Sequence, residues 1–111
     1  MYEVIKTLEI SAAHRLELPY ESPCTNLHGH NWRVKIFLRS ETLNAEGMIM
    51  DFKKIKEKIT NKLDHKILNE AVDFNPTAEN LAKYICDEIA PYCYRTEVCE
   101  SENNTAVYYK D

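Results

Sequence analysis

The stretch His28-Gly29-His30-Asn31-Trp32-Arg33-Val34-Lys35-Ile36-Phe37-Leu38-Arg39 decides the fold of this chain. From His30 onward every second residue is large: Trp32, Val34, Ile36 and Leu38 follow it. Between them stand Asn31, Arg33, Lys35 and Arg39, with Phe37 the exception. Side chains alternate sides along an extended chain, so the pattern is a β-strand with one buried and one wet face, as in an antiparallel sheet. Toward the N-terminus, residues 2–14 repeat it more loosely: Val4, Leu8, Ile10 and Ala12 share a parity that Lys6 breaks.

Toward the C-terminus, Gly47 marks a turn and Met48–Met50 reads as a short strand. Asp51 can cap a helix by accepting the free amide hydrogens of its first turn. That helix places Phe52, Ile55, Ile59 and Leu63 on one stripe. Its lysines, Lys53, Lys54, Lys56, Lys58 and Lys62, fall largely outside the stripe; interrupted by Glu57, they read as a solvated face rather than a polyanion patch. A second helix starts after Pro76 with Thr77 as its cap, carries Ala78, Leu81, Ala82, Ile85 and Ile89 inward, and ends at Pro91. Residues 94–100 and 105–109 read as two strands joined by the polar turn Ser101–Asn104. The predicted order is β-β-α-α-β-β, an α+β unit with two helices on an antiparallel sheet. Its open edges favour association between copies.

Composition bounds the function. At 111 residues, 44% hydrophobic, the chain is expected to form a single domain over residues 1–111. A net charge of -4 argues against non-specific nucleic-acid binding. No apolar run is long enough for a membrane span, and the N-terminal sequence lacks the pattern of a secretory signal. A cytoplasmic protein is expected. With only two glycines, Gly29 and Gly47, a glycine-rich phosphate loop is excluded. Cys24, Cys86, Cys93 and Cys99 show no C-x-x-C spacing and read as free thiols.

The four histidines carry the chemistry. His28 and His30 project from one strand face, and His14 ends the preceding strand on the matching parity. Folding the first strand back on the second brings the three imidazoles together at one end of the sheet. Three neutral imidazoles make a catalytic zinc shell with an open fourth position; a structural site would want a fourth protein ligand, which Cys24 could supply. Cys24 lies on the long connection Arg15–Leu27. A thiol beside a cation has its thiolate stabilised, so Cys24 reads either as a base or nucleophile or as a packed cysteine. His65 follows Asp64 at the end of the first helix, where a solvated pair is the plainer reading.

Several motifs together resemble the 6-pyruvoyltetrahydropterin synthase family. They are Ser11-Ala12-Ala13-His14, Cys24-Thr25-Asn26-Leu27-His28-Gly29-His30, Gly47-Met48-Ile49-Met50-Asp51-Phe52, Leu63-Asp64-His65, Pro76-Thr77-Ala78-Glu79-Asn80 and Glu100. The short spacing from Cys24 to His28 is similar to the bacterial 6-carboxytetrahydropterin synthases of queuosine biosynthesis. The resemblance implies a tunnelling fold whose subunits build a barrel, commonly a hexamer, with sites at subunit interfaces. It also implies zinc on His14, His28 and His30, a proton-transfer group of Cys24, Asp64 and His65, and Glu100 as the anchor of the pterin ring. Thr77 would help to hold that ring or act only as a helix cap. Strand parity favours Glu100 over Glu97, which lies on the opposite face.

The implied substrate is 7,8-dihydroneopterin triphosphate, cleaved by a zinc-dependent lyase to 6-carboxytetrahydropterin, acetaldehyde and triphosphate. The sister reaction, giving 6-pyruvoyltetrahydropterin, and a non-catalytic zinc or pterin module are the alternatives. Leu8 and Ile10 stand where family members often carry aromatic residues, and Ser101 where they often carry threonine.

Overall fold

The computed structural model describes residues 1–110. Two long strands, β1 (Tyr2–His14) and β2 (His28–Ser40), pair antiparallel along their whole length, from Tyr2 opposite Ser40 to His14 opposite His28. The alternation expected of β2 is seen: Trp32, Val34, Ile36 and Leu38 are buried, and Asn31, Arg33, Lys35 and Arg39 are exposed. On β1, Leu8, Ile10, Ala12 and His14 are buried on the same face. Phe37 is also buried although its parity points it to the other face. There Arg95 stacks on its ring at 4.7 Å and Tyr94 meets it edge-on.

The helices follow the expected stripes. In α1 (Phe52–Leu63), Asp51 accepts a hydrogen bond from the Lys53 amide, and Ile55, Ile59 and Leu63 are buried. Phe52, expected on that stripe, is about half exposed because it stands at the first helical position, beyond the core. A second correction concerns Met48–Met50, which forms no strand. The Asn44 carboxamide accepts from the amides of Glu46 and Met48, each at 3.0 Å, and so closes a local turn. Gly47 adopts φ 84° in that turn, a left-handed conformation that glycine reaches without steric penalty.

Two elements escape the sequence reading. Lys66–Ile67 forms β3, parallel to Ala12–Ala13 of β1, and Leu68–Ala71 forms a one-turn helix, α2. The last helix, α3 (Ala78–Glu88), is capped by Thr77, whose hydroxyl accepts from the Asn80 amide at 3.1 Å. It ends at Glu88, before Pro91, with Ile89 buried just beyond. Strands β4 (Cys93–Ser101) and β5 (Asn104–Tyr109) complete a five-stranded sheet of order β3-β1-β2-β4-β5. The architecture is α+β, with five strands and three helices among the described residues. The apolar residues of α1 and α3 join those of β1, β2 and β4 in one core. No helix among the described residues is long and apolar enough to cross a membrane.

Candidate metal centre

The β1–β2 register builds the centre. His14 lies opposite His28, and His30 opposite Ala12, so the three imidazoles stand on adjacent positions of one face at the end of the hairpin where residues 15–27 connect its strands. Their ring centroids are 4.6, 4.8 and 5.2 Å apart. Trp32 forms the floor: its ring lies 4.9 Å from His14 and 5.2 Å from His30, and its Nε1 donates to the Ala12 carbonyl.

Two imidazoles are oriented by backbone oxygens. Nδ1 of His14 lies 2.8 Å from the Pro76 carbonyl, and Nδ1 of His28 lies 2.7 Å from that of Asn26. A carbonyl can only accept, so each Nδ1 carries its proton and each Nε2 is left with a lone pair. His14 is fully buried, and neither its Nε2 nor that of His30 has a hydrogen-bond partner among the described residues. Burial pushes the His14 imidazole below its ordinary pKa; the Pro76 hydrogen bond opposes this shift and the neighbouring His28 reinforces it. Burial lowers His30 as well, against the pull of Glu100. Neutral imidazoles with buried, unpartnered nitrogens fit a metal ion, which would supply the missing contact.

Glu100 is the fourth member of this group. Ligand atoms of His14, His28, His30 and Glu100 all lie within 4.8 Å of one another. Glu100 Oε1 is 3.2 Å from His30 Nε2, but off the angle of a hydrogen bond. Glu97, by contrast, pairs with Arg95. Among the described residues the convergent group does not include Cys24. That leaves Cys24 outside the ligand set, half-buried in a 3-10 turn over Pro23–Thr25. Its carbonyl accepts from the Leu16 amide at 2.7 Å, which ties the loop to the chain just past His14.

Asp64 and His65 lie along the outer edge of β1. The Ser11 amide donates to Asp64 Oδ1 at 2.9 Å, and the His65 amide to the Ser11 carbonyl at 2.7 Å. Asp64 Oδ2 is 3.7 Å from His65 Nε2. His65 has a positive φ of 59° and is strongly exposed. It lines a hollow of about 450 Å³ at the end of the β1–β2 pair, together with Ser11, Ala12, Ala13, Gly29, His30 and Asn31. The three converging histidines occupy the even-numbered face. One chain therefore gathers His14, His28, His30 and Glu100, and His65 is not among the converging side chains. Sequence reasoning missed the orienting carbonyls of Pro76 and Asn26, which no side-chain motif announces.

The residue pattern that defines the 6-pyruvoyl tetrahydropterin synthase family matches residues 3–111. The chain belongs to that family. A Synechocystis protein named 6-carboxy-5,6,7,8-tetrahydropterin synthase is 31% identical over 122 residues, covering 98% of this chain and 94% of its own. Human 6-pyruvoyl tetrahydrobiopterin synthase is 35% identical over 130 residues, covering 96% of this chain and 90% of its own. The solved structure of Caenorhabditis elegans 6-pyruvoyl tetrahydropterin synthase superposes with a TM-score of 0.78 at 27% identity, over 99% of this chain and 96% of that one. The α+β fold is thus that of the family's tunnelling-fold synthases.

Proposed function

We propose that the protein is a zinc-dependent 6-carboxy-5,6,7,8-tetrahydropterin synthase of queuosine biosynthesis. It would convert 7,8-dihydroneopterin triphosphate to 6-carboxytetrahydropterin, acetaldehyde and triphosphate. The observation that carries this reading is the convergence of three oriented imidazoles, two with unpartnered buried nitrogens, beside a loop that carries a free thiol. His14, His28 and His30 would hold zinc, which when bound would supply Lewis-acid chemistry toward the oxygens of the substrate side chain.

The chain's own residues do the rest. Cys24, half-buried and outside the ligand set, removes carbon-bound protons next to the developing carbonyl. His65 relays protons, with Asp64 held in place by the Ser11 amide and facing its ring. Glu100 accepts paired hydrogen bonds from the amino-pyrimidine edge of the pterin. Thr77 already accepts from the Asn80 amide, so its part is chiefly that of a helix cap. Because His65 is not among the side chains that converge with the imidazoles, the site would be completed by the Asp64–His65 pair of a second copy. That supports a homo-oligomer, a hexameric barrel by family resemblance, with sites between subunits.

The sister reaction, giving 6-pyruvoyltetrahydropterin, is favoured by the likeness to the human enzyme. Product mass decides between them. Purified protein incubated with 7,8-dihydroneopterin triphosphate should give the carboxy product and trappable acetaldehyde. A pyruvoyl product without acetaldehyde overturns the assignment.

A further inference from the structure

The edge of β1 beside the metal group is closed by a run of partners, two of which have no part in the chemistry so far described. In an extended chain the N–H and C=O of one residue point to the same side, and successive residues alternate. Asp64 and His65 serve Ser11, and β3 continues along Ala12 and Ala13. Past His14 the neighbouring strand ends, yet the pattern goes on through side chains. Asn69 Oδ1 accepts from the Arg15 amide at 2.9 Å while its Nδ2 donates to the Arg15 carbonyl at 2.9 Å. Asn75 does the same for Glu17, at 2.9 and 3.1 Å.

Between these two clamped residues, Leu16 turns its amide to the other side, where the Cys24 carbonyl accepts it. The clamps are themselves anchored. The Asn75 carbonyl accepts from Asn80 Nδ2 and from the Thr77 amide, and the adjoining Pro76 carbonyl orients His14. A carboxamide holds one acceptor and one donor group at the spacing of a peptide, so it can satisfy both groups of one extended residue. A carboxylate or a leucine cannot.

We propose that Asn69 and Asn75 are positioning residues: their carboxamides extend β1 past His14, fix the Leu16 peptide and through it hold Cys24 in place. This rests on the reading of Cys24 as the proton-transferring thiol. Asn69 holds the carbonyl of the peptide whose N–H reaches Cys24 and Asn75 holds the N–H of the next peptide, so the two clamps grip Leu16 from either side and releasing either loosens it.

The test uses Asn69→Ala, Asn75→Ala and the double variant, with Cys24→Ala as a reference. Steady-state kinetics, bound metal, melting temperature and the iodoacetamide alkylation rate of Cys24, read by peptide mass, are measured on each. Each single variant should lose about tenfold in kcat with KM held within about twofold, because misplacement of a reacting group slows chemistry more than it weakens binding. Zinc should stay bound. The double variant should fall little below either single one, the non-additivity of two groups acting through one element. Cys24 alkylation should change by about threefold or more in metal-free and metal-loaded protein alike, as the loop leaves its fixed geometry. A double variant with a lowered melting temperature but unchanged kcat and unchanged alkylation overturns the proposal. If Cys24→Ala keeps its turnover, the thiol reading fails instead, and alkylation still decides whether the clamps place Cys24.

Discussion

Replacing His28 with alanine separates metal binding from folding. His28, like His30, is only partly buried, and its Nδ1 partner is the carbonyl of Asn26, an exposed residue that water can serve. Loss of that bond costs about 1 kcal/mol, the net worth of an ordinary hydrogen bond. His14 is a poorer choice: it is fully buried, and its removal would orphan the Pro76 carbonyl and open a cavity beside Trp32. Those two effects together cost about 3 kcal/mol before any metal is considered. A metal ion bound only by the folded chain stabilises it by about 4 kcal/mol when free metal is a thousandfold above Kd. At roughly 4 °C per kcal/mol for a chain of this size, chelation should lower the wild-type Tm by about 15 °C. His28→Ala, with or without chelator, should melt within about 5 °C of the chelated wild type. Calorimetry and elemental analysis check both points. Trp32, the only tryptophan, sits against two of the imidazoles, so cobalt added to chelated protein should quench its fluorescence. A wild type whose Tm ignores the chelator, or a His28→Ala protein that keeps one ion per chain, refutes the three-imidazole site.

Three more outcomes are expected. Cys24→Ala should retain zinc while kcat drops by about a hundredfold or more, the loss of a positioned proton acceptor; loss of metal instead would make Cys24 a ligand. In metal-free protein, His14 and His30 titrate below the ordinary imidazole range, so the unfolded chain binds more protons in mild acid. Their contribution to stability is complete above about pH 6.5 and lost as pH falls from there toward the folded values; urea midpoints at about pH 7.5 and 5.5 should show the drop, and a flat profile contradicts it. Gly47→Ala should cost about 1 kcal/mol, or about 4 °C in Tm, purely through backbone conformation, since an added Cβ meets nothing within 4 Å. An unchanged Tm would mean that the turn does not need its positive φ.

What could be read in the sequence depended on the range of the forces involved. The period-two pattern from His30 to Leu38 is local, and it carried the hairpin and with it the meeting of His14, His28 and His30. The caps Asp51 and Thr77 were legible for the same reason, since each acts on an amide two or three residues on. Phe37 broke the pattern because its cover, Arg95 and Tyr94, comes from a distant strand. Residues 66–71 are too short for any periodicity, and their pairing with β1 is tertiary. The place of His65 is hidden for a related reason: it follows from where the chain leaves α1 and crosses the β1 edge.

The opposition of His14 to His28 has a consequence for how the chain reaches its fold. A hairpin with a long connection has no tight turn to dictate which rung meets which, and a slip of one residue would turn every side chain of β2 to the other face. Such a misaligned hairpin cannot present three imidazoles to one ion. Metal capture would then act as a proofreader of strand alignment, rewarding only the pairing that also seats Trp32 beneath the histidines.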